Sequence, residues 1–154
     1  MIEILPAKPI HARLLAPKMR LEDVAEVKAA SGLSPLEALL TGLDASNECY
    51  TAWADDAPIA MFGVCPSENA SCGRIWLLGS DVIKAHRIDF LRKSRDWVDW
   101  FQSRYPVLHN TIDARNTVHI KWLQWLGFSF IQEFPNFGTE QRLFYQFVRI
   151  PPHV

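Results

Sequence analysis

Residues 107–130, VLHNTIDARNTVHIKWLQWLGFSF, carry a strand, a helix and a strand in succession. Residues 107–112 are a short apolar run that ends in polar side chains, the pattern of a strand. Residues 113–116 read as a turn, since Asp113 and Asn116 are turn and cap residues. Residues 117–126 are long enough for about three helical turns. Gly127 stops that helix, because a residue without Cβ enters the left-handed region at little cost. Phe128 opens the next strand.

Just before this unit, residues 88–104 form a long amphipathic pattern closed by Pro106. Leu91, Val98, Phe101 and Tyr105 recur there at helical spacing with Trp97 beside them, while Arg92, Lys93, Arg95, Asp96 and Asp99 supply a wet side. After the unit, residues 134–138 read as a loop and residues 141–150 as a last strand. Further upstream, residues 49–54 and 59–65 are two strands with turn chemistry, Asp55-Asp56-Ala57-Pro58, between them. Residues 74–79 are a third strand reached through the polar connection 67–71.

At the start, residues 2–5 suit a strand that Pro6 and Pro9 terminate. Pro17 argues against one helix over residues 11–30. Residues 21–30 are the better helix, with Leu21, Val24, Ala25 and Val27 as its apolar side and Gly32 as its stop. Ser34-Pro35-Leu36-Glu37 is a capping box with proline at the first helical position, followed by the stripe Leu36, Leu39, Leu40 and Leu43. The order β, α, α, β, β, β, α, β, α, β, β predicts an α/β fold with a mixed sheet covered by helices.

At 154 residues the chain fits one domain with a full core, spanning residues 1–154. With 49% hydrophobic residues it is not a disordered composition. A net charge of −1 gives no global footprint for nucleic acid. The cations Lys84, Arg87, Arg92, Lys93 and Arg95 are interrupted by Asp89, Asp96 and Asp99, so they read as a solvated helix face. Cys49, Cys65 and Cys72 have no CxxC spacing, which points to core thiols in a reducing compartment. No metal site is expected. No apolar run approaches the ~20 residues of a membrane span, and the early Glu3 and prolines do not make a signal peptide.

The element order is similar to that of the GCN5-related N-acetyltransferase (GNAT) superfamily. Asn116, a helix, and the pair Gly127-Phe128 occupy the places where members carry an Asn, a helix and a Gly-Phe pair. The resemblance implies a mostly antiparallel sheet with a central parallel splay that holds acyl-coenzyme A. Backbone groups at Leu78 and Gly79 would meet the acyl carbonyl and pantetheine. Ser80, Lys84, His86 and Arg87, in the loop before the next helix, would meet the pyrophosphate, and Asn116 would order the cofactor side of the splay. Unpaired N–H groups and a helix dipole suit such an anion.

Two positions depart from the superfamily. Residues 80–87, SDVIKAHR, contain no glycine where members have a Gly-rich run, and Leu123 stands where they often have a general-acid tyrosine. A leucine cannot protonate a leaving thiolate. Residues 73–81, GRIWLLGSD, together with Asn116 through Phe128, also resemble the internal virion protein A family of T7-like podoviruses. That resemblance implies a phage virion or morphogenesis protein with a modified or lost acyl-CoA site. Its partners would be other phage structural proteins or further copies of itself, in the host cytoplasm and the virion. The alternative is an active N-acetyltransferase that uses acetyl-CoA and an amine.

No catalytic residue is assigned. His119 and the pair His109 and Asp113 have the chemistry of a base, while Glu48, Asp55 and Asp56 could act through water. Asn116 is expected first as a helix N-cap. Among Trp76, Trp97, Trp100, Trp122 and Trp125, one or two are expected at an interface.

Overall fold

In a computed structural model, residues 1–151 are described. Seven strands form one sheet in the order β1-β2-β3-β4-β5-β7-β6. The strands are β1 (Glu3–Pro6), β2 (Glu48–Ala54), β3 (Ala57–Pro66), β4 (Cys72–Gly79), β5 (Val107–Asp113), β6 (Ser129–Phe137) and β7 (Arg142–Arg149). The helices are α1 (Pro9–Leu15), α2 (Leu21–Ser31), α3 (Pro35–Ala45), α4 (Arg87–Arg104) and α5 (Thr117–Trp125). Short 3₁₀ helices cover Ala16–Lys18 and Asp81–His86.

Local chemistry sets the element ends. Ser34 Oγ accepts the Glu37 N–H at 3.2 Å, and Glu37 Oε1 accepts the Ser34 N–H at 3.0 Å, the reciprocal box that starts α3. Asp55 and Asp56 both have positive φ, 53° and 61°, which matches the twist of a two-residue hairpin between β2 and β3. Gly127 ends α5 at φ 89°.

Three sequence expectations change. Residues 9–15 form a helix, with Pro9 at its start, where none was expected. Residues 134–137 continue β6 rather than looping; the turn falls later, around Gly138 and Gln141. Leu21 was assigned to the apolar side of its helix but is 79% exposed, whereas Asp23 is 2% exposed.

Alternation along β3 separates two cores. Phe62 faces α4, where its ring stacks on Trp97 with centroids 4.1 Å apart above Val98 and Phe101. Met61 faces the other way, against Leu15, Leu39 and Leu78. Burying each such side chain contributes about 1.5–3 kcal/mol.

The parallel contact between β4 and β5 is short. It pairs Cys72, Gly73 and Arg74 with Val107, Leu108 and His109, then stops. Beyond Arg74 the strands part, and this splay positions the site. The outer strand β6 is kept from extending the sheet by register breaks at Phe130/Gln132 and Phe134/Phe137, with Pro135 between the latter two.

Candidate functional site at the strand splay

Successive residues of a strand turn their backbone groups to opposite edges. Asn110 Nδ2 donates to the Ile75 carbonyl at 2.8 Å, so Ile75 faces the splay. By the same parity Leu77 and Gly79 face it too, while Leu78 faces β3, where it lies opposite Met61. The far end of this edge carries partners from α2. The Gly79 N–H donates to Asp23 Oδ2 at 3.0 Å, and the Gly79 carbonyl accepts the Arg20 N–H at 2.8 Å.

A cavity of about 430 Å³ runs along the splay. Ile75 and Leu77 line it from β4, Asn110 and Ile112 from β5, Trp97 and Trp122 from one helical layer, and Val27 and Ala38 from the other. Glu26 and His119 are among its polar walls.

The polar cluster at its end joins α2 to the start of α5. Asn116, 1% exposed, accepts from Arg20 Nη2 at 3.0 Å through Oδ1. Its Nδ2 donates to Asp23 Oδ1 at 3.3 Å and to Glu26 Oε1 at 3.2 Å. The Asp113 N–H also donates to Glu26 Oε1, at 3.2 Å. His119 Nδ1 lies 4.0 Å from Asp23 Oδ1. The Glu26 carboxyl is turned inward, towards Asn116 and the Asp113 N–H.

The Arg20 guanidinium faces Asp23 at 3.4 Å, while Glu26 takes its hydrogen bonds from Asn116 and the Asp113 N–H. Burial pushes Glu26 up to about 8, with Asp23 and Asp113 adding to the rise against the Asn116 hydrogen bond. Burial also raises Asp23, against Arg20, the Gly79 N–H and Asn116. Burial, helped by Arg20, holds His119 down at about 3, so its ring is neutral at pH 7.

The residues expected to meet a cofactor are distributed as follows. Leu78 and Gly79 end β4, and Ser80 follows with its Oγ accepting the Val82 N–H at 3.3 Å. Lys84 is exposed and pairs with Asp81 at 3.5 Å. His86 Nε2 lies 3.0 Å from Asp55 Oδ2. Arg87 is exposed at the start of α4. Ile83 turns inward: a Cβ placed on Gly79 would come within 2.5 Å of Ile83 Cδ1. Asn116 occupies the N-cap position of α5 but makes no side-chain cap there, because its amide is engaged by α2.

Other candidates separate. His109 Nε2 lies 3.0 Å from Ser67 Oγ, while Asp113 binds Arg115 at 2.6 Å. Burial works to raise Asp113, but hydrogen bonds from the Arg115 side chain and backbone outweigh it and hold the carboxyl below its ordinary value. Glu48 accepts from Tyr50 and Trp100 and pairs with Arg104. Burial pushes the Cys49 thiol up to about 12, which removes it as a nucleophile at neutral pH. Trp100 and Trp125 are the exposed tryptophans, each beneath an arginine: Arg104 at 4.6 Å and Arg95 at 4.1 Å. Sequence reasoning missed Arg20, Asp23 and Glu26. For Asp23 and Glu26 the signal was a stripe: positions 23, 26, 27 and 30 share one helical face, and Glu26, Val27 and Ala30 line the cavity.

A sheet that parts between its parallel strands, with helices on both faces, is the fold of the GCN5-related N-acetyltransferases. A GNAT acetyltransferase from Bacillus anthracis superposes with TM-score 0.73 at 7% identity, over 97% of this chain and 94% of that one. A GCN5-related N-acetyltransferase from Kribbella flavida gives 0.70 at 16%, over 97% and 98%. An acetyltransferase from Bacillus subtilis in complex with CoA gives 0.67 at 12%, over 97% of each chain. At these identities the likeness is one of fold. Within that fold class, the chain belongs to the family described as "Bacteriophage T7, probable scaffold protein Gp13", whose sequence profile matches residues 58–135. The Escherichia phage T7 protein described as "Probable scaffold protein gp13" is 27% identical over 146 residues, covering 92% of this chain and 94% of the relative. Among the described residues no helix is long and apolar enough to cross a membrane.

Proposed function

We propose that this chain is a phage virion or morphogenesis protein built on a GNAT-like scaffold whose acyl-CoA site is modified. Family membership supports the assembly role. The modified site rests on one observation: the connection after β4 is a 3₁₀ helix whose Ile83 packs over Gly79. A pyrophosphate needs backbone N–H groups at close range, and side chains stand there instead. Lys84, His86 and Arg87 would be left to meet an anion by charge alone, and Lys84 and His86 already face Asp81 and Asp55. The residues present therefore do not fit the coenzyme as the resemblance predicted. Other phage structural proteins, or further copies of the chain, are the partners, and the exposed Trp100 and Trp125 are suited to contact them. Synthesis in the host cytoplasm and carriage into the particle follow from this role.

The test has two parts. Calorimetric titration with acetyl-CoA is expected to show nothing tighter than about millimolar, equivalent to roughly −4 kcal/mol. Fractionated phage particles or their assembly intermediates are expected to contain the chain. Micromolar binding with amine-dependent thiol release would overturn the reading in favour of an N-acetyltransferase. The cavity along the splay, with Glu26 and His119 in its wall, is the observation that favours that rival. In it Glu26 would take the amine proton, and Asn116 would hold Glu26 in place.

A further inference from the structure

The splay edge of β4 offers few backbone groups, and the chain uses those at both ends itself. Near the parallel contact, the Ile75 carbonyl is taken by Asn110. At the far end, the Gly79 N–H is taken by Asp23 and the Gly79 carbonyl by the Arg20 N–H. Asp23 is 2% exposed, on a helix whose Leu21 lies in solvent. Its second oxygen is fixed by Asn116 and Arg20, so the carboxyl is held in place from both sides.

We infer that Asp23 is an internal occupant of the acyl-binding edge: its Oδ2 sits on the Gly79 N–H where a ligand's carbonyl oxygen would accept, and so latches α2 across the splay. The inference rests on the proposed function and deepens it, since it names what has replaced the ligand. A carboxyl from the same chain needs no free ligand to satisfy the donor, and its effective concentration is high because α2 is already packed. The latch is a hydrogen bond on the Gly79 N–H and uses none of the cations Lys84, His86 and Arg87 that would face phosphate.

That independence makes it testable with S-acetylpantetheine, which carries the thioester arm and no phosphate. The wild-type chain, Asp23→Ala and Asp23→Asn are titrated with this probe. Asp23→Ala is expected to bind about ten-fold or more tightly than wild type, because one donor is freed. Asp23→Asn keeps an oxygen acceptor for Gly79 and is expected to stay with the wild type. A folded Asp23→Ala with no gain overturns the latch, as does an Asp23→Asn that binds as tightly as Asp23→Ala. Should Asp23→Ala fail to fold, the Gly79 amide of the wild type decides. Slow hydrogen exchange and a resonance unmoved by millimolar probe support the latch; a resonance that shifts on adding the probe overturns it. Tight acetyl-CoA binding by wild type would instead sink the modified-site reading, so the two failures are distinct.

Discussion

Asn116 Nδ2 donates to Glu26 Oε1 across 3.2 Å, which ties the start of α5 to α2 through a residue 1% exposed. The same side chain reaches Arg20 and Asp23, so one amide satisfies three partners. Asn116→Ala leaves buried charged groups short of hydrogen bonds. The expected loss is about 2 kcal/mol, or about 4–8 °C in Tm. A loss within about 0.5 kcal/mol, the range of ordinary surface changes, would contradict the network.

Glu26 and His119 pull stability in opposite directions with pH. Glu26 is raised from 4.5 to about 8, so its contribution is complete below 4.5 and is lost as pH rises through 8. His119 is lowered from 6.5 to about 3, so its contribution is complete above 6.5 and is lost as pH falls towards 3. Asp23, raised by burial, adds to the Glu26 trend. Between 6.5 and 8 the acid side acts without opposition from His119, and Tm is expected to fall across that window. In Glu26→Gln the fall is expected to be much smaller, and an unchanged slope in thermal melts would refute the assignment.

Gly42 lies against the Trp76 ring, and an added Cβ would stand 2.7 Å from Cζ2. In an open helix, glycine to alanine gains about 1 kcal/mol. Here Trp76 Nε1 donates to Ser46 Oγ at 2.8 Å, so the ring cannot retreat without breaking that bond. Overpacking of this kind costs about 1–3 kcal/mol. Gly42→Ala is therefore expected to lower stability in denaturant titration, and a gain would show that the ring yields.

Lys84 and Arg87 are exposed, and the Lys84–Asp81 pair spans 3.5 Å in solvent. Replacing both by alanine is expected to change stability by less than about 0.5 kcal/mol. A larger loss in a chemical melt would mean that the loop before α4 depends on them.

Much of the fold could be read because local rules agree with the tertiary answer. The capping box at Ser34 and Glu37, the Asp55-Asp56 turn and the Gly127 stop all appear where their chemistry demands. The helix at Pro9–Leu15 was hidden because it is short and ringed by prolines. Residues 134–137 looked like a loop because Pro135 and a bulge interrupt the strand. Legibility at the splay was lower. Asn116 stood out, but its cap chemistry suggested its own helix as partner, whereas it binds one about ninety positions upstream in sequence. Asp23 and Glu26 resembled the ordinary acidic start of a helix, and only their tertiary partners, Gly79 and Asn116, turned them inward.

Only three residue pairs join β4 to β5, and every other strand pairing of the described residues lies within 3–79 or within 107–149. The sheet is thus made of two halves, each contiguous along the chain, with α4 as the bridge. On a ribosome the first half has all of its strand partners before the second half is synthesised, so long loops need not close late. The three-pair seam then has to register two preformed halves, and it is expected to be the slow step of assembly and the first place where amide exchange opens.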